Sequence, residues 1–342
     1  MNSLSLVDGS FADKFYPFSL TRSVADIRCG ILTIREKWTH YLKNIHQLPG
    51  ELSVPANVIP NHSLIRSLLS KNREDIFRYS NRLLDLTDIL RHNESELRND
   101  FHLITEGRSS EQVSGTNKIS GSDIFLEKGV SVEHCYLNAT QGPIYIGKDT
   151  QIMEGSMIRG PFSIGEKGIV KMGTKIYGAT SAGPGCILGG EIKNSVLFGY
   201  SNKAHDGYLG DSVIGEWCNL GAGSSNSNVK NSGGNIRLWN PLVKSFIEGG
   251  AKCGLMMGDY SRSAINTSFN TGTVVGVCCN VFGNGLTPTY LPSFAWGLSD
   301  MYYDFEKAIQ HIERWKKFKG MELSEEETKK LKYIFEQEKL QK

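Results

Sequence analysis

Lys193–Gly223 reads KNSVLFGYSNKAHDGYLGDSVIGEWCNLGAG, and the spacing in and around it decides the fold. One position recurs every six residues in both directions. Backwards the marked residues are Ile146, Ile152, Ile158, Ile164, Val170, Ile176, Ala182 and Leu188. Forwards, after a two-residue slip, they are Val196, Asn202, Tyr208, Ile214 and Leu220. Glycine often follows the apolar residue, as in Ile146-Gly147, Ile164-Gly165 and Ile214-Gly215. Strand alternation or helical spacing would both fail over this length. A sustained hexapeptide rhythm predicts a left-handed parallel β-helix, in which each unit is one flat face of a triangular coil. A single coil cannot bury its inward aliphatic residue, so coils stack and cap one another.

Breaks in such an array tend to hold the functional loops. His205 lies just after the slip, among small and polar residues, with Tyr208 three positions on. Apart from His134 it is the only histidine in the repeat region. A lone histidine reads first as a hydrogen-bonded surface residue. An imidazole is also the side chain best suited to take a proton near neutral pH, and the surrounding motif turns the reading towards chemistry.

Working outward, the coil runs over residues 119–287, with a Ser/Asn/Gly-rich loop insertion at 224–254. Beyond that loop the rhythm resumes at Met257, Ser263, Phe269, Val275 and Val281. Residues 1–70 read as a small α/β-like unit, with helical spacing over Gly30–Leu42 and loops between Leu48 and Pro60. From Ser63 to about Arg98 the pattern is helical, through Leu64, Leu68, Ile76, Leu83, Leu86 and Ile89. Residues 71–118 thus form a helical connector and linker. Residues 288–342 give an aromatic cluster (Tyr290, Phe294, Trp296, Tyr302, Tyr303, Phe305) expected to cap the coil, then a helical tail. Ser324 with Glu327 signals a capping box at the start of that tail.

Thirty-eight basic against thirty-six acidic residues give a net charge of +2, so nothing here attracts nucleic acid or an anionic membrane in general. Seven scattered cysteines without a C-x-x-C pair argue against a metal site or disulfide framework and for reduced thiols. The opening MNSLSLVDGSFADKFYPF lacks a basic start followed by an apolar run, and no stretch is apolar enough to span a membrane. A cytoplasmic protein is expected.

Lys203–Gly223, KAHDGYLGDSVIGEWCNLGAG, resembles the acetyltransferase signature of the bifunctional enzymes that make UDP-N-acetylglucosamine. Those enzymes join a glucosamine-1-phosphate acetyltransferase to an N-acetylglucosamine-1-phosphate uridyltransferase. Aligned on Tyr-Leu-Gly-Asp, the resemblance implies that His205 is the catalytic base. It implies sugar-phosphate and acetyl-CoA contacts at Tyr208, Asn219 and Ala222, with Asn228 at the mouth of the site. Glu191-Ile192-Lys193 is similar to a Glu-x-Lys whose lysine holds the sugar phosphate, and the resemblance implies that Lys175 stands where the family places a phosphate-binding arginine. Glu191 and Asp206 are both candidates to orient the imidazole, or ordinary solvated carboxylates. Val229 replaces a substrate-contacting tyrosine. Cys278-Cys279 reads as interior packing and the wall of an acetyl-CoA tunnel.

At the N-terminus PFSLTRSVADIRCG, Pro17–Gly30, resembles the Pro-Leu-Thr-x-Thr-Arg segment of sugar-1-phosphate nucleotidyltransferases. The whole chain is similar to a family of sugar nucleotidyltransferases of this bifunctional type, sharing T-R-x-x-A-D-x-R-x-G. Here VDGSFADKF supplies no glycine-rich triphosphate loop, and Val24 stands where a catalytic lysine is expected. Arg22, Asp26 and Arg28 are the candidate nucleotide contacts, with Arg35 beside them; otherwise they are surface residues of an eroded domain.

The expected function is CoA-dependent N-acetyl transfer, acetyl-CoA being the co-substrate, to an amino sugar phosphate or a nucleotide-linked amino sugar. The expected assembly is a homotrimer. The alternatives are a sugar-1-phosphate nucleotidyltransferase, which would require Mg²⁺, and a non-catalytic trimeric scaffold.

Overall fold

The aliphatic rhythm builds a parallel β-solenoid in the computed structural model, which describes residues 4–43, 52–69, 81–299 and 301–340. Among these residues three parallel sheets line its sides, of nine, six and five strands. In the nine-stranded sheet Ile146, Ile164 and Ala182 stack in register, eighteen residues per coil. All eight marked residues from Ile146 to Leu188 lie in one buried core, joined after the insertion by Met257, Phe269, Val275 and Val281. Each such aliphatic side chain contributes about 1.5–3 kcal/mol by leaving water.

After the slip the expected phase is one residue out at Val196, Asn202 and Tyr208 and is regained at Ile214 and Leu220, which face the coil interior. Leu197, not Val196, pairs with Ala182 and faces the coil interior. Lys203 pairs with Leu188, so Asn202 turns outward, and Leu209 is inward where Tyr208 was expected. The reason is geometric: Ala182 to Leu197 takes fifteen residues instead of eighteen. Val196 is buried all the same, because it faces the N-terminal unit.

That unit begins with β1 (Leu4–Val7), which pairs in parallel with β2 (Leu52–Pro55). Leu52–Pro55 is therefore a strand, although its Pro/Gly/Asn surroundings suggested a loop. Its alternation of buried Leu52 and Val54 was the missed signal. Between the strands, α1 (Ile34–Leu42) starts three residues later than its apolar spacing suggests. Thr33 and Glu36 form a capping box there, while Gly30 takes a left-handed φ of 89°. Helices α2 (His62–Leu69) and α3 (Asp88–Thr105) follow, so the expected helical stretch is interrupted at Asn81–Thr87. Ile76 and the beginning of the Leu48–Pro60 segment lie outside the described residues.

The N-terminal core packs on the outside of the nine-stranded sheet, against Val196, Phe198, Val213, Met256 and Val274. The insertion carries an antiparallel hairpin, Ile236–Asn240 with Ser245–Gly250, whose Ile236 and Leu238 join the same core. Ladder pairing continues past residue 287 through Tyr290–Leu291.

One solenoid corner carries Tyr200, Trp217, Tyr260, Cys278 and Phe294, all with left-handed φ. Helices α4 (Phe305–Lys317) and α5 (Glu325–Leu340) cover its upper part. The expected capping box opens α5, with Glu327 N–H donating to Ser324 Oγ at 3.1 Å. Phe294 packs 5.0 Å from Phe335, so this aromatic cluster ties the coil to the tail helices. Cys279 points into the coil and Cys278 out towards those helices. All seven cysteines are free and buried.

Candidate functional site

A corner of four residues, Ala204, His205, Asp206 and Gly207, separates the strand Asn202–Lys203 from Tyr208–Gly210. His205 and Asp206 are both exposed on that corner. The corner rests on Gly189-Gly190: a Cβ at Gly189 would lie 2.3 Å from the Ala204 carbonyl, and one at Gly190 2.7 Å from the His205 carbonyl. Only glycine permits this approach, and Gly190 also needs its φ of 75°. From above, Gly223 N–H donates to the Asp206 carbonyl at 3.0 Å. Among the described residues no side chain hydrogen-bonds the His205 imidazole.

The six-stranded sheet begins immediately beyond the corner. Residues on either side of each inward aliphatic face out, so Glu191 and Lys193 flank Ile192, as Lys175 and Tyr177 flank Ile176. Lys175, Glu191 and Tyr208 are in register on successive coils. Tyr177 donates its hydroxyl proton to Glu191 at 2.5 Å, which pushes the phenol up to about 12. Glu191 is thus held by Tyr177 and makes no hydrogen bond to His205. Lys193 Nζ sits 5.7 Å from the Tyr177 ring centroid and has no carboxylate partner among the described residues.

Tyr208 faces out at the end of this sheet, with Asn228 Nδ2 donating to its hydroxyl at 3.2 Å. Asn228 is fixed in turn by Asp211, which also accepts from Asn194 at 2.6 Å. Burial, followed by the nearby Asp211 and Glu191, raises the Tyr208 pKa. The fold therefore brings together Lys175, Glu191, Lys193, Tyr208 and Asn228. It also adds Tyr177, Asp211 and Asn194, which the reading of the sequence missed. Two of these were findable, because Tyr177 neighbours a marked aliphatic and Asp211 closes Tyr-Leu-Gly-Asp. Further down the sheet Lys118, Arg159 and Lys175 line a groove of about 480 Å³ with Tyr136, Met157 and Tyr177.

Asn219 falls on a different side. It bridges Asn202 and Arg262 in the ladder that continues the five-stranded sheet, and accepts from Asn202 Nδ2 at 3.3 Å. Ala222 occupies the same corner as His205, one coil up, and its carbonyl accepts from Asn266 N–H at 2.7 Å. Ala204, Gly221 and Ala264 keep one position of this edge small at successive levels, whereas Ala222 lies level with the exposed Ile265.

The N-terminal candidates are engaged within the fold and do not form an open cradle. Arg22 pairs with Asp259 and, at 3.1 Å, with Glu216, and lies over the Phe198 ring. Asp26 pairs with Arg35 through two hydrogen bonds of 2.6 and 3.0 Å. Arg28 is buried, donating to the carbonyls of Phe198 and Ile31. Val24 is fully buried. The motif shared with nucleotidyltransferases thus docks the N-terminal unit on the solenoid.

These features define a β-solenoid protein with a polar, lysine-bearing face beside an exposed histidine corner. Residues 4–52 match the family model described as "Sugar nucleotidyl transferase". A bifunctional protein GlmU from Methanocaldococcus jannaschii is 32% identical over 89 residues, 26% of this chain and 21% of the relative. A bifunctional sugar-1-phosphate nucleotidylyltransferase/acetyltransferase from Sulfurisphaera tokodaii is 32% identical over 92 residues, covering 27% and 23%. A GlmU from Methanococcus maripaludis is 34% identical over 88 residues, covering 25% and 20%. The matched segment spans about a fifth of the length of these curated relatives. Among the described residues no helix is long and apolar enough to cross a membrane.

Proposed function

We propose that this protein is a CoA-dependent N-acetyltransferase acting on an amino sugar phosphate or a nucleotide-linked amino sugar. The observation that carries the reading is the exposed His205 corner set against the outward row Glu191, Lys193 and Tyr208. An amine attacking a thioester must lose a proton, and a neutral imidazole takes it at Nδ1 or Nε2. Lys193, with Lys175 one coil down, supplies positive charge for a phosphate. Tyr208, held by Asn228, presents a hydroxyl to the sugar. The small row Ala204, Gly221 and Ala264, with Ala222 beside it, leaves room for an extended pantetheine arm. Acetyl-CoA supplies the acyl group. Glu191 and Asp206 remain the candidates to orient the imidazole after substrate binds, and Asn219 would act from the neighbouring side of the corner.

The comparisons support a sugar-phosphate transferase in general, and the printed name of the Sulfurisphaera relative includes acetyl transfer. Nucleotidyl transfer, with its Mg²⁺, is the less favoured reading, because Arg22, Asp26 and Arg28 already have internal partners. Coils of this kind pack around a threefold axis, so a cytoplasmic homotrimer is proposed, with light scattering as its measure.

The test is acetyl transfer from acetyl-CoA to a panel of amino sugar phosphates and nucleotide-linked amino sugars. His205→Ala should lower kcat by about 10²–10⁴-fold while acetyl-CoA binding stays near that of the wild type. A variant as fast as the wild type removes His205 as the base. Absence of transfer to every acceptor overturns the reading.

A further inference from the structure

We propose that Lys203 is a positioning residue: from inside the coil its ammonium fixes the His205 corner and so the place of the imidazole. Lys203 occupies an interior position, in register with Leu188 of the coil below. The neighbouring interior residues are Ile192, Leu197, Leu209 and Ile214, and its side chain is only 1% exposed. An aliphatic residue would fill this position without the cost of burying a charge. What the lysine adds is its hydrogen bonds. Nζ donates to the carbonyls of His205, Gly189 (3.3 Å) and Asp206 (3.4 Å), and to no carboxylate.

An ammonium has three protons, and three carbonyls of two successive corners receive them. Two of these carbonyls belong to consecutive residues, His205 and Asp206. Both turn towards the interior, while the side chains of the same residues are exposed. The Asp206 carbonyl also accepts from Gly223 N–H, so the arrangement reaches the corner above, next to Ala222. Burial pushes the Lys203 pKa down to about 8, with Asp206 acting weakly in the other direction. The clamp is therefore strongest at and below neutral pH.

The catalytic consequence rests on the acetyltransferase reading; the geometric one does not. Lys203→Met keeps volume and apolar character while removing the three donors. With active wild-type enzyme, the variant should lose kcat by about 10²-fold, as expected for a misplaced catalytic group. Its KM for acetyl-CoA should stay within about twofold, since Ala222 and the edge are retained. Wild-type kcat in a folded Lys203→Met overturns the proposal, whatever happens to its melting temperature.

If no acceptor is turned over by the wild type, the acetyltransferase reading fails, and NMR of labelled histidine still decides the positioning. His205 should give a shifted or broadened imidazole signal in Lys203→Met; an unchanged sharp signal overturns the proposal. If Lys203→Met does not fold, the wild type alone suffices. The carbonyl carbon signal of Asp206, which accepts from Nζ, should move near pH 8, where Lys203 loses its proton. A flat signal through that range overturns the proposal.

Discussion

Arg22→Met separates the two roles its motif suggests. The guanidinium is 11% exposed and faces Asp259, whose side chain is 3% exposed, and Glu216, whose side chain is 34% exposed. Its removal leaves Asp259 buried without a cation, though still accepting from Thr21 Oγ1 at 2.6 Å and Glu216 N–H at 2.8 Å. Breaking a buried pair from one side costs about 3–5 kcal/mol, and the two surviving donors place this case near 3. Loss of contact with the Phe198 ring, 5.1 Å away, adds about 0.5–1 kcal/mol. Urea unfolding of wild type, Arg22→Met, Asp259→Asn and the double variant would measure the coupling. The double variant should be less destabilised than the sum of the singles. Glu216 precedes the 224–254 insertion and Asp259 follows it, so Arg22 splints the two coils that the insertion interrupts. Arg22→Met should therefore also be cut faster by protease within the insertion. Stability within about 0.5 kcal/mol of wild type, as at an ordinary surface site, would refute the docking role. Loss of pyrophosphate release from a nucleoside triphosphate at unchanged stability would make Arg22 a phosphate ligand instead.

Gly30→Ala should be strongly destabilising in thermal melts, because the residue has φ 89° and a Cβ would stand 2.5 Å from Asp100 Oδ2 and 2.8 Å from the Glu96 carbonyl; a melt matching the wild type would show that α3 can move aside. Lys193→Ala removes a charge-assisted contact worth about 1.5–3 kcal/mol and should chiefly raise the KM for a phosphorylated acceptor; an equal loss in kcat would place Lys193 at the reacting atoms. Between the folded Lys203 pKa of about 8 and its ordinary 10.5, the unfolded chain binds more protons, so this residue's contribution to stability rises with pH. Wild type should accordingly gain on Lys203→Met across that window and run parallel to it below pH 8; parallel curves throughout would exclude the depressed pKa.

The solenoid was legible because stacked coils leave one kind of residue at one spacing, from Ile146 to Leu188 and again from Met257 to Val281. Its phase just after the slip, at Val196, Asn202 and Tyr208, was not, although Ile214 and Leu220 were read correctly. Val196 and Leu197 are both apolar and both buried, one under the N-terminal unit and the other in the coil, and only tertiary packing distinguishes them. Lys203 escaped for the opposite reason: a lysine is not read as interior unless the carbonyls that satisfy it are known. Tyr208, Asn228, Glu191 and Lys193 were legible through their motif and do converge. Asn219 does not join them, since a motif along the chain does not show that a corner separates its two ends. Arg22 and Arg28 were visible as cations, while their partners Asp259, Glu216 and the Phe198 carbonyl lie far away in sequence. The hairpin at Ile236–Gly250 hid in a segment whose polar beginning dominated its reading.

A regular solenoid offers the same edge at every level, so a ligand sliding along it would find no preferred stop. The coil from Ala182 to Leu197 breaks that translational symmetry by omitting three residues from the eighteen-residue count. Part of the shortening falls at Gly189-Gly190, where the corner has no side chains, and the next level settles onto it. His205 stands on that next level. The defect in the count gives the edge an address, setting the level of His205 apart from the regular coils through Ile146, Ile164 and Ala182.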